Sequence, residues 1–425
     1  MSHGVLAPQR STFASRKTVN GSRGSTTPWV RPADWLALTT PSTSDQRMVG
    51  LAAVFQSNSN FVTVRASSAF KVDWGDGAGW NLYAANTTAE KNLQWADYDA
   101  GTLCSRGYRQ AIVTVEPQSG NLTGLELRYR HSNAAATTST SSVWLDLRVA
   151  CTGSPTITGS SSQWYPMMLE TVEIVSNISN ANYLFFGCSS LQTVPALNTA
   201  LGTNFTAMFQ GCYALQTVPA LNTASGTNFI AMFQNCSSLQ TVPALNTSSG
   251  TNFSYMFQGC YALQFVPALN TSSGTSFSTM FQGCSSLQTV PALNTASGTN
   301  FSNMFQNCYA LQTVPALNTA LGTNFSGMFS GCSSLQTVPA LNTSLGTSFS
   351  NMFQGCYALQ WSDVYGGRYA ISYATADLSA AALDNIYTNL GTAAGGGQTI
   401  TVTGNWGTAG HTPSIATAKS WTVAA

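Results

Sequence analysis

Eight cysteines recur at a strict 24-residue step: Cys188, Cys212, Cys236, Cys260, Cys284, Cys308, Cys332 and Cys356. Prolines keep the same step from Pro195 to Pro339, and the unit reads C-[SY]-[SA]-L-Q-T-V-P-A-L-N-T-x-x-G-T-[NS]-F-x-x-M-F-Q-[GN]. A fixed period of this length demands a solenoid, because one coil cannot bury its apolar side alone. Neighbouring coils must supply the missing wall. About seven side chains per coil are expected to point inward, and each stabilises the stack by roughly 1.5–3 kcal/mol on burial.

Charge is nearly absent from the same region. The 425-residue chain carries 16 Lys plus Arg against 15 Asp plus Glu, only 7% of its residues. Ordinary soluble domains carry roughly 25%. Ile174 to Ser362, 189 residues, contain no Asp, Glu, Lys, Arg or His. Such a surface offers no carboxylate or imidazole for general acid–base work and no long-range field to steer a ligand. Phosphate neutralisation needs a basic stripe, so a nucleic-acid partner is not expected. No run approaches 18 consecutive apolar residues, so membrane insertion is not expected. The first thirty residues lack the apolar core of a secretory signal, which points to synthesis in a cytoplasm without an export signal.

Within the repeat, Phe205, Met208, Phe209 and Cys212 stand at i, i+3, i+4 and i+7. This spacing predicts a helix of two or three turns over Thr203–Cys212, capped by Thr203 or Asn204, with Gly202 letting the chain turn. Leu215, Val218 and Leu221 come every third residue around Pro219 and suit a short extended edge.

Before the repeats, residues 48–54, 61–67 and 69–74 and Tyr108–Val115 read as strands, with a tight turn at Gly75-Asp76-Gly77. Weaker coils are expected at Leu122–Arg130, Val143–Val149 and Leu169–Ser176. After the repeats, Asp377–Gly391 predicts a helix with Ser379 at its N-cap, Gly391 at its C-cap and Leu383, Ile386, Tyr387 and Leu390 on one face. A strand at Thr399–Thr403 and a helical turn at Ser414–Lys419 complete a cap, which the outer end of a solenoid requires.

C-x-x-L-x-x-V-P-x-L-N followed by F-x-x-M-F-x-x-C resembles the BspA-like class of leucine-rich repeats over about residues 184–360. The resemblance implies a right-handed solenoid with one parallel sheet. Val72-Asp73-Trp74-Gly75-Asp76-Gly77 resembles the W-D-F-G-D-G signature of the polycystic-kidney-disease (PKD) type of immunoglobulin-like sandwich, over about residues 45–118. Taken with the basic, Ser-rich arm, Pro28–Leu36, Cys104–Tyr108 and the I-A-T-A-K-S-W-T-V ending, the chain resembles tail-fibre-type virion proteins of tailed phages. That likeness implies attachment to the virion at one end and to a host surface at the other.

The expected fold is mainly β with short helices: a basic arm (1–35), a PKD-like β-sandwich (36–120), lead-in repeats (121–183), a leucine-rich-repeat solenoid (184–362) and an α/β cap (363–425). The expected function is a non-enzymatic structural and adhesion protein of a tailed-phage virion, a tail fibre whose solenoid contacts the host surface, without cofactor or metal. A capsid decoration or head fibre, a bacterial adhesin and a depolymerising tailspike are its rivals. Other virion proteins would meet the arm and sandwich, through Arg10, Arg16, Lys17, Arg23 and Arg31, in a larger assembly. Residues 1 to about 28 are expected to order only on such a partner.

A host glycan or protein would meet the solenoid. The residue after each repeat cysteine is Ser at 189, 237, 285 and 333 and Tyr at Tyr213, Tyr261, Tyr309 and Tyr357. A position that accepts both faces solvent, and exposed rings among Asn, Gln, Ser and Thr can hold a sugar or a protein without charge. The same alternation is also what duplication of a 48-residue unit leaves behind. Tyr255 and Phe265 are further candidates.

The repeat thiols are expected to be buried and free, since one thiol per coil cannot assemble a zinc site. A bridge between Cys104 and Cys151 is disfavoured in a reducing compartment. The row that includes Asn222 is expected to bond backbone between coils. Asp73, Asp76, Asp97 and Asp99 form the one acidic cluster; a calcium site and the carboxylate pair of a glycosidase are the functional alternatives there, but Asp76 is first a turn residue. His3, His131 and His411 are too scattered to suggest a triad.

Overall fold

The computed structural model describes residues 29–57, 59–127, 143–157 and 168–425. Arg10, Arg16, Lys17 and Arg23, the rest of the arm through residue 28, His3 and His131 lie outside them. Arg31–Ala425 forms one compact unit, mainly β with few helices.

Its first part is a six-stranded sheet. In chain order the strands of the region are β1 (Met48–Val54), β2 (Phe61–Arg65), β3 (Phe70–Asp73), β4 (Trp80–Tyr83), β5 (Thr88–Asn92), β6 (Arg109–Pro117), β7 (Trp144–Val149) and β8 (Thr171–Ile174). The sheet order is β4-β3-β6-β1-β7-β8, while β2 and β5 pair separately. The alternating and apolar runs expected to be strands become β1, β2, β3 and β6. β4 and β5 carry no comparable pattern: β4 is largely exposed, and β5 reads Thr-Ala-Glu-Lys-Asn.

β1 runs antiparallel to both β6 and β7, whereas β7 and β8 are parallel. A parallel bridge from Thr171 to Thr193 carries the ladder into the first coil of the repeat. The antiparallel sheet and the solenoid therefore share one hydrogen-bonded edge.

The 24-residue repeat is a solenoid, and its wall is made of identical side chains in stacks. In the coil starting at Phe229, Met232, Phe233, Cys236 and Leu239 are fully buried with Phe229, and Val242 and Leu245 nearly so. Phe205, Phe229, Phe253, Phe277, Phe301, Phe325 and Phe349 form one column of parallel rings, with centroids 5.5 to 5.9 Å apart. Phe185 to Phe353 form a second, at 5.3 to 5.7 Å.

The helix expected at Thr203–Cys212 is absent, and the reason lies in the backbone donors. The N–H groups of Phe205, Ala207, Phe209 and Gly211 bond carbonyls of the next coil, on Asn228, Ile230, Met232 and Gln234. Those of Met208, Gln210 and Cys212 bond three residues back, on Phe205, Ala207 and Phe209. A helix would consume every donor within the coil; here alternate donors hold the stack together. The local structure is a pair of β-turns, 205–208 and 209–212, whose third residues have positive φ: +52° at Ala207 and +78° at Gly211. The spacing i, i+3, i+4, i+7 fits two successive turns as well as one helix.

Gly202 and its equivalents do not serve backbone freedom, contrary to expectation. A Cβ on Gly226 would stand 2.7 Å from Phe229 Cζ and 3.0 Å from Phe205 Cε2, so the glycine leaves room for two stacked rings. The expected parallel sheet is reduced mainly to single bridges, such as Asn204 to Asn228 to Asn252. Proline in every Thr-Val-Pro-Ala-Leu edge removes one donor per coil. Only β9 (Thr337–Asn342) and β10 (Trp361–Tyr365), at the end of the array, pair as full strands.

The cap contains β11 (Ile371–Ser372), α1 (Ala380–Asn389), β12 (Gln398–Thr401), α2 (Ser414–Thr417) and β13 (Trp421–Ala424). The Ser379 hydroxyl accepts the Ala382 N–H at 3.1 Å, as an N-cap should. Leu390, not Gly391, is the C-cap, and a Cβ on Gly391 would meet the Gly366 carbonyl at 2.9 Å. Tyr373 ends the second phenylalanine column by stacking on Phe353 at 4.5 Å.

Candidate ligand-binding face

Three polar ladders run along the coils. Every repeat thiol is buried and outside any disulfide. From Cys212 to Cys356 each Sγ donates to the phenylalanine carbonyl 27 residues earlier, Cys236 to Phe209 at 3.1 Å among them. Burial pushes all eight thiols up from 9.0, Cys356 to about 12. They are therefore protonated structural donors.

Threonine, not asparagine, forms the second ladder. Asn222 is exposed, and its Oδ1 accepts the N–H of Ala224 in its own coil at 3.2 Å. Thr199, Thr223, Thr247, Thr271, Thr295 and Thr319 are buried, and each hydroxyl donates to the asparagine carbonyl of the next coil at 2.8–2.9 Å. The expectation for the Asn222 row is corrected accordingly: a short side chain just ahead of a turn closes an Asx-turn before it can reach a neighbouring coil.

The third ladder lies beside the tyrosines. Gln210, Gln234, Gln258, Gln282 and Gln306 are chained through their amides, each Nε2 donating to the next Oε1. Tyr213, Tyr261, Tyr309 and Tyr357 are 44–64% exposed. Between Tyr261 and Tyr309 lies a groove lined also by Asn235, Gln258, Gln282, Ser285 and Asn307. Gly259 and Gly283 form part of its lining, and a Cβ on Gly283 would stand only 3.6 Å from Tyr261 Cε1. The Tyr261 ring thus reaches across to the following coil. A serine at 285 leaves that space open, which gives the Ser/Tyr alternation a steric meaning.

The remaining candidates are dispersed. Tyr255 is exposed at a positive φ of +62°, and Phe265 is exposed on the edge that carries Thr in most other coils; neither lines the groove. Trp361 occupies the same edge position as Phe265 in the last coil and is exposed with Tyr365 and, in the cap, Trp406. These rings were missed because they stand outside the regular pattern. Arg31 is occupied within the chain: its Nε bonds the buried Asp146 carboxylate at 2.7 Å, and its terminal nitrogens bond the Trp35 and Leu36 carbonyls.

Asp76, Asp97 and Asp99 share a groove near Tyr98. Asp73 and Asp99 close turns onto Gly75 and Gly101, and Asp76 is paired with Lys91. Burial raises the Asp76 carboxyl, but Lys91 and the Ala78 N–H together hold it below its ordinary value. Among the described residues no group of three or more His, Cys, Asp or Glu is placed to hold a metal. His411 bonds the Tyr387 hydroxyl through Nδ1 at 2.7 Å. No helix of the described residues is long and apolar enough to cross a membrane.

The fold and its ladders define a leucine-rich-repeat-like solenoid. The model of a family described as "Mycoplasma protein of unknown function, DUF285" matches residues 171–268 and 261–364, the repeat part of the chain. Among solved structures, the crystal structure of the TLR13-ssRNA13 complex aligns with 14% identity and a TM-score of 0.26, over 56% of this chain and 36% of that one. The alignment thus spans about a third of that protein. No curated protein matches the sequence.

Proposed function

We propose that this chain is a non-enzymatic adhesion protein of a tailed-phage particle, a tail fibre whose solenoid contacts the host surface. In this reading the arm and a PKD-like N-terminal domain contact other virion proteins. The observation that carries it is the exposed tyrosine row with its amide ladder, on a stretch of 189 residues free of Asp, Glu, Lys, Arg and His. Such a face holds a ligand by stacking and hydrogen bonds and has no group for acid–base chemistry. The PKD-like reading is supported by the turn after β3, where Trp74 is buried and its carbonyl accepts the Tyr98 hydroxyl at 3.0 Å.

Two measurements test the proposal. Labelled antibody imaged on particles should decorate the tail; decoration of the capsid would instead make this a head fibre. Adsorption of the purified protein to host cells should stay flat between low and high salt, because no exposed ion pair drives it. A steep fall with salt, or cleavage of host polysaccharide by the protein, would overturn the mechanism.

A further inference from the structure

The groove between Tyr261 and Tyr309 has a repeat length, and that length restricts what it can hold. Parallel backbone bonds space neighbouring coils by about 4.8 Å and their stacked rings stand 5.3 to 5.9 Å apart, so tyrosines on alternate coils recur at roughly 10–12 Å. A pyranose unit in an extended β-1,4-linked chain advances by nearly one coil. Because successive units in that chain are flipped, the same sugar face returns every second unit. An α-linked chain winds and loses this register.

The polar lining has the matching chemistry. A primary amide carries two N–H donors, and the glutamine ladder uses one of them per coil. The second remains for a sugar hydroxyl, with Ser285 and Asn307 in the same lining. No Lys, Arg or His occurs from Ile174 to Ser362, so a carboxylate, sulfate or phosphate on the sugar would find no cation there. Tyr261 already lies against Gly283, so little ring freedom is lost on stacking.

We infer that the tyrosine row binds an uncharged, β-1,4-linked linear polysaccharide laid along the solenoid axis, one disaccharide per tyrosine, with the Tyr261–Tyr309 groove as the central subsite. This rests on the reading of the solenoid as the surface-contacting part and names its ligand class.

The test is calorimetric titration of the full chain with cello- and chito-oligosaccharides of two, four, six and eight units, and with α-1,6-linked gluco-oligosaccharides of the same lengths. Affinity for at least one β-linked series should rise with each added disaccharide, and the α-linked series should not bind. Tyr261→Ala and Tyr309→Ala should each weaken octamer binding about tenfold, with Tyr261→Phe close to the parent and all melting temperatures unchanged. Equal binding of both linkages, no binding of either β-linked series, or indifference to both alanine variants would overturn the inference. Host-cell adsorption separates the two levels. Cells bound equally by parent and alanine variants, with no oligosaccharide binding, would leave the adhesion reading standing and remove the glycan. Oligosaccharide binding without adsorption to any cell would do the reverse.

Discussion

The Cys236 thiol donates to the Phe209 carbonyl at 3.1 Å, and that same oxygen accepts the Cys212 N–H at 3.0 Å. One acceptor thus joins a turn to its own coil and to the next. Cys236→Ala removes the second bond and leaves a gap the size of a sulfur atom. The expected loss is about 1–3 kcal/mol, read from the urea midpoint of the array.

Reactivity of the thiols follows from their burial. All eight repeat cysteines are held protonated in the fold, so iodoacetamide at neutral pH should leave them unmodified by mass. In denaturant all eight should be alkylated. Modification of the native protein at these positions would mean that the stack opens on the timescale of the reaction.

Alkali should melt the solenoid. A thiol whose folded value lies above 9.0 keeps its proton when the unfolded chain has lost it, so its stabilising contribution is complete below pH 9 and disappears as pH rises through the folded value. Each such thiol contributes a slope of about 1.4 kcal/mol per pH unit. With eight acting in the same direction, melting temperature should be flat from neutral pH to about 9 and fall steeply above it. A flat profile across that point would contradict the buried thiol column.

Two glycines of the repeat should fail for different reasons. A Cβ on Gly250 would stand 2.7 Å from Phe253 Cζ and 2.9 Å from Phe229 Cδ2, inside a ring stack that cannot yield. Gly250→Ala should therefore cost about 1–3 kcal/mol through overpacking. Gly283 has room for a methyl group but a φ of +76°, so Gly283→Ala should cost about 1–2 kcal/mol through backbone strain. Thermal unfolding of the two variants separates the effects if Gly283→Asp, a residue that tolerates positive φ, recovers part of the loss while Gly250→Asp recovers none.

The ion pair of Asp146 with Arg31 and Arg148 fastens the chain entering the first sheet. Asp146 is fully buried, with Arg31 Nε at 2.7 Å and Arg148 Nε at 3.1 Å. Asp146→Ala takes the shared buried carboxylate from both guanidinium groups, which keep their bonds to the Trp35 and Leu36 carbonyls and to Glu173, and should cost about 3 kcal/mol. Limited proteolysis should then cut near Trp35 faster than in the parent.

The inward positions of the coil were legible because Phe, Met, Cys and Leu keep a period that only burial explains. What those positions form was not. Phe205, Met208, Phe209 and Cys212 suit a helix and a pair of turns equally, and the choice depends on donors that leave the coil. The one local signal was position 211, which admits only Gly or Asn in every coil, as a positive φ requires. Thr223 was passed over for Asn222 because the two are adjacent and recur equally, and only the stack decides which is buried. The tyrosine row was visible in the Ser/Tyr alternation. Its glutamine neighbours were not, since an amide ladder exists only between coils.

Because each coil bonds its neighbour through the same alternate donors, a pair of coils can be removed or inserted without disturbing the joint on either side. Near-identical 48-residue segments in the gene are substrates for unequal recombination. One such event would shorten or lengthen the array by a single tyrosine step while keeping both ends intact, so the length of the exposed aromatic row can drift between generations without any new fold having to be found.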